Sequence, residues 1–257
     1  MTSRKLGLVC LLLLARGCHH DKLPEPSDRS DGQLPELDVQ HVAEQAVHVD
    51  GRLSEPAWQS AVSTGLFVNP GSGKANSASH VNASAKMLGD ADNLYVGFTV
   101  YDATPSTPFK RGDVDPHIWE RASGVELMLQ PGNPGNNKNY FEIQVDTAGA
   151  VWDTRFDDYN QPITGSGPAR RFGHQEWSAH LQRAAHVGKD RYTIEMALPW
   201  SALTRTSARV PAHPGDIWRA NLYSFKDGQR DAMAWSPILG QGNFHKAARF
   251  GRLRFGP

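Results

Sequence analysis

The residues most able to do chemistry lie close together in Asp115–Gln130, DPHIWERASGVELMLQ. Trp119 stands in a polar, glycine-containing stretch where a large ring has little packing to do. Glu126 sits between Val125 and Leu127, so a strand here turns its carboxylate to the face opposite those two apolar side chains. A flat ring beside a strand-mounted carboxylate suits a sugar, which carries C–H groups on its faces and hydroxyls at its rim. Stacking adds on the order of 1 kcal/mol per ring pair beyond burial. Hydrogen bonds to a carboxylate add about 1.5–3 kcal/mol each. After ordering costs, such a site predicts affinity in the micromolar to millimolar range.

The elements that must position these residues read as strands. NLYVGFTVYD (Asn93–Asp102) sets Leu94, Val96, Phe98 and Val100 on one face. RYTIEMALP (Arg191–Pro199) sets Tyr192, Ile194, Met196 and Leu198 inward, with Thr193 and Glu195 outward. Further strands are expected at 43–49, 83–88, 125–129, 140–146, 151–155, 177–182, 217–225, 232–235 and 252–255. Gly and Pro fall between them. Only 55–63 and 200–204 read as short helical turns. Many short alternating strands punctuated by turns predict an all-β chain, an antiparallel β-sandwich of immunoglobulin-like or jelly-roll-like form. Trp58, Trp218 and Trp235 read as packing residues, and Trp200 as a plug at one end of the sandwich. Trp152 and Trp177 are alternative rim residues.

The N-terminus, MTSRKLGLVCLLLLARGCHH, has a basic start, a short apolar run and then Gly17-Cys18. That layout predicts a secretory signal, too short to span a bilayer, with Cys18 as the lipid-bearing first residue of a mature lipoprotein. Residues 1–18 are thus expected to be a signal peptide. Residues 19–39, polar and Pro-rich, are expected to be a flexible linker, and residues 40–257 one folded domain. The expected place is the bacterial cell envelope, at the outer membrane or periplasmic face, or secretion, with membrane contact through the lipid alone. Cys10 leaves with the signal, so the domain has no disulfide and no cysteine metal site. Lys+Arg and Asp+Glu number 27 each, which argues against nucleic acid as a partner. A monomer is expected.

Taken in order, the motifs resemble carbohydrate-binding module family 9. They are VDGRLSEPAW (Val49–Trp58), NLYVGFTVYD, WERASGVELML (Trp119–Leu129), NYFEIQVDTAGAVWD (Asn139–Asp153), YTIEMALPWSAL (Tyr192–Leu203), GDIWRANLYSFKD (Gly215–Asp227) and AWSPILGQGNFHKAARFGRLRF (Ala234–Phe255). The resemblance implies a β-sandwich that binds poly- or oligosaccharides without catalysis, often with structural calcium. It implies two rings clamping a sugar, Trp119 and Phe244, with Glu126, Gln144 and Asp146 as polar contacts and Gln241 and Asn243 in the loop before the second ring. His245 is a further hydroxyl partner, and His117 a second. The chain departs from the family in having Ala122-Ser123-Gly124 where an aspartate is usual, and Phe rather than Trp as second ring. Both changes lower the expected affinity.

Calcium prefers several oxygen ligands. Asp102, Asp115 and Asp153 are the candidates, with Asp113, Asp146, Asp157 and Asp158 behind them. Hydrolysis would need two carboxylates flanking one bond, for which Glu126 and Asp146 are the available pair. Nothing in the sequence signals a deep substrate cleft, and no enzyme activity is expected. Two other readings compete. One is a haem-binding electron-transfer sandwich ligated by Met233 and His245. The other is an adhesive lipoprotein whose sugar site has decayed.

Overall fold

The structure is a computed structural model that describes residues 28–257, apart from the side chain of Pro168. The expected signal segment, the Cys18 lipid site and the first part of the expected linker lie outside the described residues.

The strands are β1 (Glu36–His41), β2 (Asn82–Gly89), β3 (Asn93–Tyr101), β4 (Gly124–Gln130), β5 (Lys138–Asp146), β6 (Val151–Asp158), β7 (Gln182–Val187), β8 (Arg191–Pro199), β9 (Ile217–Lys226), β10 (Asp231–Ala234) and β11 (Gly251–Phe255). They run in the order β6-β5-β4-β9-β11-β1-β2-β3-β8-β7, with β10 also on β9. β1 joins the two halves. Its first residues pair with β11 and its last two with β2. The inner faces meet as one core. Val125, Leu127, Leu129, Phe141, Ile143, Val145 and Leu222 come from one half, and Leu94, Val96, Phe98, Val100, Ile194, Met196 and Leu198 from the other. Burying side chains of this size stabilises the fold by about 1.5–3 kcal/mol each. The alternation therefore reads correctly for these strands, and the expected sandwich forms.

Three local expectations are corrected. The segment expected to be a linker is built into the fold from Arg29 onward. Arg29 donates to the carbonyls of Thr64 and Trp235 at 2.9 Å each, and Leu37 and Val39 are buried. β1 also pairs parallel on both sides, an exception to the antiparallel rule. The strand expected at 43–49 is a loop. Gln45 has φ 63, which breaks an extended run, and Val47 and Val49 pack against Trp58 rather than in the main core. The strand expected at 177–182 begins only at Gln182, after His180 at φ 47.

The outer face of the second half is closed by the loop after β1 and by α1 (Pro56–Ser60). Trp58 lies flat on β3 because residue 97 is glycine. A Cβ there would meet Leu53 at 2.7 Å and Trp58 at 3.2 Å. Glu195 points to this face as expected, yet it is fully buried. It accepts from the Trp58 indole at 2.8 Å and from the backbone N–H groups of Gly51 and Asp50 at 2.8 and 3.0 Å.

Candidate functional site

The outer face of the other half carries polar groups where a sheet normally meets solvent. Register sets Glu126 of β4 opposite Gln144 of β5 and Tyr223 of β9. Glu142 stands opposite Thr154 of β6, and Gln144 opposite Trp152. Because alternate residues share a face, Trp152, Thr154, Phe156, Tyr140, Glu142, Gln144 and Glu126 form one surface.

Over this surface lies a cleft of about 370 Å³. Trp119 and Trp152 form one wall, edge to face with ring centroids 4.6 Å apart. His117 stacks on Trp119 at 4.4 Å. The opposite wall is Tyr159, stacked on His245 at 3.8 Å and on Phe172 at 4.7 Å. Glu142, Thr154 and Phe156 form the floor, and Gln229 and the Arg170-Arg171 pair stand at the rim.

Trp119 is held in α2 (Ile118–Arg121), a single turn that the sequence pattern left as irregular chain. Ile118 is its buried anchor. The turn between β9 and β10 docks on it. Gly228 donates to Ala122 O at 2.9 Å and Gln229 to Trp119 O at 2.8 Å. Gly228 has φ 75, and a Cβ there would sit 2.4 Å from Trp119 O, so only glycine fits. This contact puts Gln229 beside the indole.

The carboxyl groups form a linked pair. Gln144 Nε2 donates to Glu126 Oε2 at 3.0 Å and to Glu142 Oε1 at 2.9 Å. Gln229 Nε2 donates to Glu126 Oε2 at 2.8 Å. Burial pushes Glu126 well above the usual carboxyl range, and the neighbouring Glu142 pushes it further, against the two amide bonds. Burial likewise raises Glu142 to about 8. His245 is driven the other way, to about 3, also by burial. It is neutral at pH 7, bonded through Nδ1 to Tyr140 Oη at 2.7 Å, with Nε2 3.7 Å from Glu142.

Several buried polar atoms here have no hydrogen-bond partner in the protein: Glu126 Oε1, Glu142 Oε2, Gln144 Oε1, Thr154 Oγ1 and Trp152 Nε1. Buried polar groups are ordinarily bonded, and each orphan costs about 1–3 kcal/mol. Concentrated on one face under an aromatic-walled cleft, they suit a ligand rich in hydroxyls, which both donate and accept.

Of the residues expected at the site, Trp119 and His245 line the cleft, with His117 beside them. Glu126 and Gln144 lie just beneath it, with Glu126 fully buried. Phe244 does not line it. Its ring stacks on Tyr223 at 4.0 Å, nearly parallel, so the wall facing Trp119 is Tyr159 and His245 instead. Asn243 is exposed and bonds Tyr159 Oη at 3.1 Å, while Gln241 is exposed with its carbonyl held by Lys246. Asp146 is tied into its own turn by Thr107 and the N–H groups of Ala148 and Ala150. It is not a carboxylate partner for Glu126. Glu142, Thr154, Tyr159, Phe172 and Gln229 were not anticipated. The two-residue period from Gln144 and Trp152 points to Glu142 and Thr154. The loop residues left no such signal.

The proposed metal ligands do not converge. Asp102 pairs with Lys226 at 2.7 Å, whereas Asp115 and Asp153 share a different shallow cleft. Asp153 accepts from Ala179 N at 2.7 Å. Among the described residues no three His, Cys, Asp or Glu side chains gather as a ligand set. The haem pair also separates. Met233 is buried in the core between the sheets, while His245 lies over the outer face of one of them.

No curated protein sequence matches the chain. Its fold is similar to that of a protein from Bacteroides uniformis ATCC 8492 to which carbohydrate binding has been ascribed, with TM-score 0.63, 19% identity, and 87% of this chain and 100% of the other covered. It is also similar to a carbohydrate-binding module of family 9 from Caldicellulosiruptor kristjanssonii. That module is solved with cellotriose (TM-score 0.57, 14% identity, 86% and 93% covered) and with glucose (TM-score 0.55, 14% identity, 86% and 96% covered). The family model described as carbohydrate family 9 binding domain-like matches residues 49–256. The chain belongs to this family.

Proposed function

We propose that this domain binds carbohydrate without transforming it, holding a sugar between the Trp119–Trp152 wall and the Tyr159–His245 wall. The observation that carries this reading is the set of orphaned polar atoms on the floor, lying under rings that offer apolar faces. Glu142 and Thr154 line the cleft floor with their orphaned Oε2 and Oγ1 atoms just under its surface, and Gln144 and Glu126 stand behind them. The relatives solved with glucose and cellotriose support a saccharide as ligand. A lipid on Cys18 would tether the domain at the cell envelope. The test is titration calorimetry of the full-length chain in detergent with gluco-, xylo- and galacto-oligosaccharides. Saturable binding with dissociation constants from micromolar to millimolar is expected, with no shorter products on prolonged incubation. Heat at the level of dilution for every sugar removes the reading, and released fragments overturn its non-catalytic part. For the tether, Cys18→Ala is expected to move the protein from the membrane to the soluble fraction. An unchanged distribution removes the anchor.

A further inference from the structure

The rim of the cleft carries charge that the sugar-binding reading alone does not use. Most arginines among the described residues are committed. Arg52, Arg155, Arg191, Arg209, Arg252 and Arg254 pair with carboxylates. Others, among them Arg29, Arg183 and Arg249, donate to backbone carbonyls. Four stand around Trp119 without a salt bridge, though Arg170 Nε donates to Gly167 O at 2.8 Å. Arg170 and Arg171 line the main cleft, and Arg121 and Arg230 line a second cleft of about 480 Å³. The two clefts share Trp119 and Gln229, so they form one groove with the indole between its halves. All four arginines are exposed. Among the described residues none is in salt-bridge contact with a carboxylate.

The nearby acids neutralise this rim only in part, since Arg171 acts electrostatically on the exposed Glu176 without salt-bridge contact. Glu120 is turned to His117 at 3.1 Å. Glu142 is on the floor, bonded to Gln144 and shielded from the rim. The whole chain is balanced at 27 basic and 27 acidic side chains, so four guanidinium groups without a salt bridge around one groove are a local concentration. Two of them are steadied without losing their outer N–H groups. Arg121 lies over Phe109 at 5.4 Å and Arg170 over Phe172 at 5.7 Å. A guanidinium held by a ring and free of carboxylate contact is suited to a planar or tetrahedral oxyanion, which it can bond in fork geometry.

We propose that the ligand is an anionic oligosaccharide lying across Trp119, with carboxylate or sulfate groups on the arginine pairs at either end of the groove. This rests on the sugar-binding reading above and narrows it from saccharides in general to acidic ones. It also makes the recognised unit a stretch of chain rather than a single terminal sugar, because the paired cations stand on both sides of the indole.

The test compares matched ligands on the full-length chain at low and high salt. One arm uses oligogalacturonate against the same oligosaccharide with its carboxylates reduced to alcohols. The other uses a sulfated galactan oligosaccharide against its desulfated form. The expected result is at least about tenfold tighter binding of one anionic member over its neutral match, equal to about 1.4 kcal/mol. The preference is expected to shrink as salt rises, since screening is nearly complete within a few ångströms at ~1 M. The arm that shows it identifies the anion. Arg170→Gln with Arg171→Gln, and separately Arg121→Gln with Arg230→Gln, are expected to bring the anionic-to-neutral affinity ratio towards one. Melting temperature is read alongside, and the salt titration of the unaltered chain stands even if a variant folds poorly. Equal binding of neutral and anionic members overturns this proposal and leaves the sugar-binding reading in place. Absence of binding by every member overturns this proposal, and the sugar-binding reading falls with it only if the gluco- and xylo-oligosaccharides also give no heat.

Discussion

Glu126 and Glu142 accept hydrogen bonds from one and the same amide nitrogen, Gln144 Nε2, at 3.0 and 2.9 Å. Two carboxyl groups on adjacent strands are thereby locked to a single donor on the buried outer face of a sheet. No Lys or Arg pairs with either among the described residues. Buried together with neutral amide donors from Gln144 and Gln229, the two acids are poorly placed for two negative charges and well placed as protonated groups. Burial, and for Glu126 the neighbouring Glu142 as well, raises both groups against the opposing hydrogen bonds from Gln144 and Gln229.

Stability should therefore fall as pH rises. Glu142 titrates near 8 in the fold, against about 4.3 in an unfolded chain. Between those values the folded state holds a proton that the unfolded state has lost, so the stability of unfolding declines with pH. Its contribution is fully present below the unfolded value and erodes up to about pH 8. Calorimetric melting from pH 7 to pH 9, above the range where the lowered His245 adds an opposite slope, should show a declining Tm, and Glu142→Gln should flatten it. A Tm that climbs over this window would show that the pair is ionised and compensated by a cation.

The walls of the cleft should separate from the core by mutation. Trp119 is only partly buried and meets Trp152 at its edge. Trp119→Ala should weaken sugar binding at least about tenfold, or about 1.4 kcal/mol, with little change in Tm. Trp58 is fully buried against β3. Trp58→Ala should instead cost about 3–5 kcal/mol of stability. Chemical denaturation of both variants, with a binding titration of whatever remains folded, checks this. Comparable stability losses would make Trp119 a packing residue.

Thr154 offers a finer probe. Its hydroxyl is buried on the cleft floor without a protein partner. Thr154→Val keeps the shape and removes the orphan, so the free protein should be no less stable. Affinity should drop by about 0.5–1.5 kcal/mol if that hydroxyl meets the ligand. Unchanged affinity in titration calorimetry would take Thr154 out of the site.

Strand identity was legible wherever one face was apolar, as in Leu94–Val100 and Tyr192–Leu198, because period two is a strong signal over four or more positions. β1 was not legible. It buries only Leu37 and Val39, and its place depends on backbone partners from β11 and β2 far along the chain. At the site, Trp119 and Glu126 could be read from local contrast, and Glu142 and Thr154 follow from the same two-residue period as Gln144 and Trp152. Gln229 could not be read in this way, because its position is set by the contact of Gly228 with α2 across about a hundred residues. Phe244 shows the opposite case. Its place in the motif suggested a wall, but the buried Tyr223 takes one face of its ring.

The same tertiary logic makes Glu195 the most informative residue away from the cleft. Its carboxylate gathers the Trp58 indole and the N–H groups of Asp50 and Gly51 at 2.8–3.0 Å. It thereby fastens the loop after β1 to β8. Burial raises its pKa, and the N–H donors oppose that shift. Glu195→Ala strips three donors of their acceptor in a closed interior, where each orphan costs about 1–3 kcal/mol. A loss of about 3 kcal/mol or more in denaturant unfolding is expected. Glu195→Gln keeps one acceptor oxygen and should lose less. Because Glu195 lies on the outer face of the other half of the sandwich, sugar affinity of the folded fraction should stay within about twofold, or about 0.4 kcal/mol. Affinity that falls in step with stability would mean that the two faces are coupled through the core.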